Sequence, residues 1–261
     1  AGSTRMTATA KDADGNEVIV HGVISSPDWT GDETLDPERT LLSEKHQGTF
    51  AEKVVVPSRN VVPKPAGLSF EAAACLPTAW LTAYRMLFTQ VELAAGDTVL
   101  VQGASGGMST SLIMLARAAG YRVWVTSRDA ESRERALRIG AHEAFESGQR
   151  LPERVDAVME TIGRATWSHS IKSLRPGGTL VTSGATSGDL EVGELRHIFF
   201  RQLRIHGSTM GTRDELDALA RFMAERGVEP LVERVLPMDQ AADGIRAVKD
   251  GEVFGKVVLT L

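Results

Sequence analysis

The chain has 261 residues, a formal net charge of −5 at pH 7 and 42% hydrophobic residues, enough length for one large domain or two modest ones with a real core. The acidic balance and the scatter of basic residues argue against nucleic acid or an anionic membrane as partner, and no apolar run reaches membrane-spanning length. The single cysteine, Cys75, excludes an intrachain disulfide framework and a Cys-rich structural zinc site, and with no signal peptide read, a cytoplasmic protein is expected.

In chain order, Ala1 to Arg5 read as a polar leader ahead of Met6, without fold information. Glu17-Val18-Ile19-Val20-His21 is predicted as a strand after the turn Asp14-Gly15-Asn16. Residues 25–48 form a long, polar, acidic segment, read as a solvated lobe, with a metal site at His46 as the alternative. Thr49 to Val56 and Asn60 to Val62 are predicted strands, separated by Pro57 and Ser58. After the stiff Pro63-Lys64-Pro65 joint, Ser69 is placed to cap a helix over Phe70 to Leu87 that Pro77 interrupts.

Asp97 to Gly120 then reads as a buried strand (Val99, Leu100, Val101), a glycine turn, and a helix whose Met108, Leu112, Leu115, Ala116 and Ala119 share one apolar face. Gly120 ends that helix. A second strand, Arg122 to Thr126, follows, and Asp129 caps the helix that ends at Gly140. Further strands are expected at Ala144 to Glu146, Val155 to Glu160, Thr179 to Thr182 and Arg204 to Ser208. Helices are expected at Trp167 to Leu174, stopped by Pro176 and Gly177, and at Glu194 to Leu203. The tail reads as helix (Asp214 to Arg226), strand (Glu233 to Leu236), helix (Gln240 to Val248) and strand (Gly255 to Leu259). Strand–helix alternation of this kind predicts an α/β fold, a doubly wound parallel sheet with right-handed crossovers and the dinucleotide-binding architecture.

The turn Gly103-Ala104-Ser105-Gly106-Gly107 supplies the chemistry. A diphosphate at a helix start needs backbone N–H groups unobstructed by side chains, and it gains from the positive end of the helix dipole. The strand before, the helix after and the second strand on time make the motif a dinucleotide fingerprint, with Met108 opening the helix. The same residues also fit G-x-S-x-G, which would make Ser105 the nucleophile of a serine hydrolase. Against that stand the last histidine, His206, followed by a long tail, and the lack of an HGGG-like segment upstream.

The chain resembles the medium-chain dehydrogenase/reductase family, nearest its zinc-independent quinone-oxidoreductase-like and alcohol-dehydrogenase-like branch. The matching segments are Gly48-Thr49-Phe50-Ala51-Glu52, Ala73 to Tyr84, Gly96-Asp97-Thr98-Val99, the glycine turn, Arg175-Pro176-Gly177-Gly178 and Gly255-Lys256-Val257-Val258-Leu259. The resemblance implies a Rossmann domain at 88–212 inserted in a partial GroES-like, β-rich catalytic domain made of 1–87 and 213–261. It implies cofactor contacts at Gly103, Ala104, Ser105, Gly106, Gly107, Met108, Glu160-Thr161-Ile162, Ser183, Gly184, Ala185 and Thr82, with Met210-Gly211 closing over the cofactor. It further implies that the first part of the catalytic domain is absent, and that the protein is a homodimer paired through the edge of the cofactor sheet. Thr78 sits where zinc-dependent relatives carry a cysteine ligand, so no zinc is expected. Ser109 replaces the last fingerprint glycine.

No acid ends the second strand; Thr126, Ser127 and Arg128 do. A hydroxyl and a guanidinium suit a 2′-phosphate, so Ser127 and Arg128 favour NADP(H) over NAD(H). Asp129 is the alternative, as a ribose ligand, unless it caps the next helix. Tyr84 is read as packing, and Thr78 and Thr82 as positioning residues; no catalytic acid is assigned. The leading expectation is an NADP(H)-dependent, zinc-free oxidoreductase moving hydride to or from a small-molecule quinone, enone, carbonyl or alcohol. The rivals are a non-catalytic nucleotide-binding protein and the Ser105 hydrolase.

Overall fold

The computed structural model describes residues 9–189 and 193–261; the leader and Met6 lie outside them. Two compact units result, one of Ala83–Ser208 and one joining the described residues up to Thr82 to Thr209–Leu261.

The second unit begins with β1 (Thr9–Lys11), β2 (Glu17–Val20), β3 (Val23–Ile24), β4 (Thr40–Leu41) and β5 (Val61–Pro63). Strands β1, β2 and β5 form one antiparallel sheet, and β3 pairs with β4. Helix α1 (Phe70–Ala74) is capped by Ser69, whose Oγ accepts the Ala72 N–H at 3.0 Å. Pro77 does not break the helical path. The residues around it, Leu76–Trp80, take a π-helical turn and pass into α2 (Leu81–Phe88). The division between the units falls inside α2, a few residues before the boundary expected at 87/88.

The first unit carries β6 (Thr98–Gln102), α3 (Gly107–Ala118), β7 (Arg122–Ser127), α4 (Ala130–Arg138), β8 (Glu143–Glu146), β9 (Val155–Glu160), α5 (Arg164–Ser173), β10 (Leu174–Thr182), α6 (Leu195–Phe200) and β11 (Arg204–Gly207). The sheet order is β11-β10-β9-β6-β7-β8 and every pairing is parallel. That is the Rossmann order. All five residues of β6 are buried, as a central strand covered on both faces requires. One core layer gathers Leu100, Trp124, Phe145, Val158, Ile171 and Leu180, with Trp124 and Phe145 edge to face at 5.3 Å between centroids. The tail supplies α7 (Arg213–Arg226), β12 (Val232–Pro237), α8 (Ala241–Lys249) and β13 (Lys256–Thr260), with β12 parallel to β13. A full capping box, Thr212 with Glu215, starts α7.

Strands β1, β3 and β4 were not expected from the sequence, and three predicted elements differ from the expectation. Thr49 to Val56 is not a strand. Val54 and Val56 pack on Val20, Ile24 and Leu42 while Val55 is 96% exposed, so the in–out alternation is there without a paired neighbour. Helix α5 begins at Arg164 rather than Trp167, because the Gly163 carbonyl accepts from Thr166 and Trp167. Strand β10 starts at Leu174, and its register against β9 shifts between Leu174 and Thr179, which accommodates Pro176-Gly177-Gly178.

His21 ties the second unit together. Its ring is 1% exposed and its Nε2 donates to the Gly211 carbonyl at 2.8 Å. Gly211 is fixed in turn, since a Cβ there would lie 2.7 Å from Leu81. Burial lowers the His21 pKa; the Gly211 carbonyl and the carboxylates of Glu33 and Glu215 act the other way. In the unfolded chain His21 binds its proton below about pH 6.5, whereas the folded ring stays neutral to lower pH. Its contribution to stability is therefore complete above that value and declines as pH falls below it. Urea unfolding at about pH 7.5 and about pH 5.5 should show a smaller loss of midpoint on acidification in His21→Gln than in the unsubstituted chain. Equal losses would contradict the assignment.

Candidate cofactor site

The strand order reverses between β6 and β9, so a crevice opens at their carboxyl ends, where open α/β sheets bind ligands. Gly103 follows β6 at φ +85°, and a Cβ there would sit 3.2 Å from Ser109 Oγ and 3.3 Å from Ile162 Cδ1. The turn thus needs glycine by conformation and by space. Ser109 is buried against Gly103, so its side chain fills the space beside the turn. Gly106 is the N-cap of α3. It is exposed, gives the first turn no side-chain bond, and a Cβ on it would meet nothing within 4 Å. The N–H groups of the first turn have no intrahelical acceptor, and no acidic residue stands among them. This donor set fits an anionic diphosphate. Ala104 is buried, and Ser105, Gly107 and Met108 are half-buried in the same turn.

Ser105 lacks the features of a nucleophile elbow. Its φ is not positive, and among the described residues it makes no hydrogen bond to a histidine.

At the end of β7, Ser127 is half-buried and Arg128 exposed. Asp129 is a helix cap, accepting the Ser132 N–H at 2.6 Å, and the Ser132 hydroxyl and N–H hold its carboxyl below the usual range. A second guanidinium, that of Arg133, donates to the carbonyls of Ser127 (2.7 Å) and Arg128 (3.2 Å). The sequence reading missed Arg133, whose place one turn into α4 looks like an ordinary solvated face.

The loops after β9 and β10 interlock. A Cβ on Gly184 would lie 2.9 Å from the Thr161 carbonyl, and Ser187 N donates to the Ile162 carbonyl at 2.7 Å. Thr161, Ser183, Gly184 and Ala185 are thereby gathered. Beneath them Glu160, fully buried, accepts from Ile162 N (2.8 Å), Gly163 N (3.0 Å), Thr166 Oγ1 (2.9 Å) and Ser170 Oγ (2.5 Å). Gln102, also fully buried, donates to Ser170 Oγ (2.9 Å) and accepts from Thr126 Oγ1 (2.5 Å). Its place at the end of an apolar strand, directly before a glycine, was the only signal for it.

The remaining candidates lie elsewhere on the chain. Thr82 is buried in α2 and its hydroxyl donates to the Thr78 carbonyl at 2.7 Å. Tyr84 stacks on Phe88 at 4.7 Å between centroids, a packing role. Met210 is buried at φ +52°, a strained value for its type. His46 is exposed, and among the described residues no group of three His, Cys, Asp or Glu could hold a metal ion. No helix of the described residues is long and apolar enough to cross a membrane.

Comparison with known proteins adds the following. A family model described as zinc-binding dehydrogenase matches residues 107–225. The acryloyl-coenzyme A reductase of Metallosphaera sedula is 30% identical over 94% of this chain and 76% of its own. A crystal structure of an NAD-dependent alcohol dehydrogenase superposes with a TM-score of 0.87 at 35% identity, over 95% of this chain and 76% of that one. The 2-octenoyl-CoA carboxylase reductase CinF, solved with NADP and 2-octenoyl-CoA, superposes at 0.86 with 30% identity, over 94% of this chain and 62% of that one.

Proposed function

Because the chain belongs to the medium-chain dehydrogenase/reductase family, we propose that it is an NADP(H)-dependent, zinc-free oxidoreductase acting on a conjugated carbonyl: a quinone, an enone or an enoyl thioester. One observation carries the reading: the uncapped first turn of α3 opens at the switch between β6 and β9, with Ser127 and Arg128 at the end of the next strand. In this reading Gly103 to Met108 hold the diphosphate through backbone N–H groups. Ser127 and Arg128 hold the 2′-phosphate, a site for which a planar, permanently charged guanidinium is suited. Asp129 accepts the Ser132 N–H as a helix cap, which supports Arg128 rather than a ribose acid as the working group at this strand end. Thr161, Ser183, Gly184 and Ala185 bound the nicotinamide end. The bound cofactor supplies the hydride. The chain then has to stabilise the negative charge that develops on the acceptor oxygen.

The substrate class draws on the relatives: the Metallosphaera sedula protein is named for acryloyl-coenzyme A, and CinF was solved with an enoyl thioester. A homodimer through the β11 edge is part of the same reading. Phe199 and Phe200 of α6 are 64% and 73% exposed, Ile205 of β11 is 37% exposed, and an unpaired strand edge invites pairing. A cytoplasmic location fits the buried free thiol of Cys75.

Titration of the purified chain with NADPH and NADH, followed by nicotinamide fluorescence, should give the tighter constant for NADPH. Arg128→Ala should weaken NADPH about tenfold or more, the loss of one charge-assisted hydrogen bond, and leave NADH little changed. Equal affinities, or an Arg128→Ala variant that binds as before, would contradict the phosphate assignment. NADPH binding without its oxidation by crotonyl-CoA, benzoquinone or methyl vinyl ketone would favour the non-catalytic nucleotide-binding reading. In sedimentation velocity the chain should run as a dimer that Phe200→Glu converts to monomer; a monomeric parent chain would overturn the edge pairing.

A further inference from the structure

Three of the four turns assigned to the cofactor, those after β6, β7 and β9, are entered through a fully buried polar residue. Gln102 immediately precedes Gly103, Thr126 precedes Ser127 and Arg128, and Glu160 precedes Thr161. Their relative accessibilities are all 0%. They sit on neighbouring strands β7, β6 and β9, and hydrogen bonds join them in one direction. Thr126 Oγ1 donates to Gln102 Oε1 at 2.5 Å, Gln102 Nε2 donates to Ser170 Oγ at 2.9 Å, and Ser170 Oγ donates to Glu160 Oε2 at 2.5 Å. The other Gln102 N–H goes to His169 Nδ1 at 2.9 Å, and His169 Nε2 donates to the Gln149 carbonyl at 2.8 Å, so both N–H groups and the oxygen of the Gln102 amide have a partner. At the far end, Glu160 Oε1 holds the N–H groups of Ile162 and Gly163, and the Ile162 side chain lies against Gly103, where a Cβ would come within 3.3 Å of its Cδ1.

We propose that Thr126, Gln102, Ser170 and Glu160 form a clamp that fixes the relative heights of the three cofactor turns, with Gln102 as its central positioning residue. The inference rests on the dinucleotide reading given above. None of the four needs to touch the ligand. A dinucleotide spans all three turns, so its affinity depends on their mutual placement. A fragment that meets one turn does not share that dependence. A chain of polar groups in the core is costly unless every member is satisfied, and a single deletion strands its neighbours.

The clamp therefore separates two ligands. Gln102→Leu should weaken NADPH binding about tenfold as the turns lose their mutual placement, while adenosine 2′-monophosphate, which has no 5′-phosphate and so meets only the β7 turn, should bind within about twofold of the parent chain. Thr126→Val, close to isosteric, should show the same split if Gln102→Leu does not fold, and Thr126→Ser, which keeps the hydroxyl, should restore NADPH binding. Parallel losses for NADPH and adenosine 2′-monophosphate, or no loss for either, would overturn the clamp and leave the dinucleotide site standing. A parent chain that binds neither ligand would overturn the dinucleotide reading and the clamp together.

Discussion

A sheet whose strands all run the same way delivers every strand end to one edge. In this chain six strands do so, and the order reverses between β6 and β9. The helices on either side of that reversal lie on opposite faces, so their starting turns diverge and leave a crevice. Nearly everything assigned to function in the first unit hangs from the carboxyl ends of β6, β7, β9 and β10. Burial reinforces the hydrogen-bonded ladder of the sheet: Val99, Leu100, Val101, Val123, Val125, Val158 and Val181 have no exposed surface. Each such side chain is worth about 1.5–3 kcal/mol out of water, which far exceeds what any single loop contact contributes. The apolar strands set the platform, and the polar residues at their last positions decide what stands on it.

Those last positions are where the core breaks its own rule. Gln102, Thr126 and Glu160 are as buried as the valines beside them. An unpartnered hydroxyl or amide in such a place costs about 1–3 kcal/mol, and an unpartnered carboxylate several. The structure meets that cost by satisfying each group with neighbours that are themselves fixed by helix α5, through Thr166 and Ser170. Apolar residues of similar size would fill the same volume more cheaply. What they would not supply is direction: hydrogen bonds hold the 161–163 turn by its N–H groups, whereas an apolar contact would let it slide.

Local chemistry was legible in the sequence wherever one residue decides the outcome. Ser69 and Asp129 cap the helices they were expected to cap, because a short oxygen-bearing side chain before an apolar periodic run has little else to do. The six parallel strands and the glycine turn were legible too, since β6 and β9 are apolar enough to need cover on both faces. Thr49 to Val56 was not. Its alternation is real, with Val54 and Val56 turned onto the core and Val55 outward, but a strand also needs a neighbour with a free edge. Sequence periodicity reports only the first of these conditions. The partners of Gln102 were invisible for a related reason: Ser170 is 68 residues away and meets it only once α5 packs on the sheet. Arg133 looked like a surface charge because the carbonyls it reaches belong to the strand before its helix.

The first turn of α3 is central to the site: its N-cap, Gly106, has no side chain to receive the N–H groups that open the helix. Amide hydrogen exchange, read residue by residue with and without NADPH, tests that directly. The amides of Gly107, Met108 and Ser109 should slow on adding NADPH, together with those at Ser127 and Arg128, while the capped first turn of α7 stays unchanged. If NADPH binds and protection appears elsewhere, or nowhere, the diphosphate does not sit on α3 and the site assigned to it is wrong.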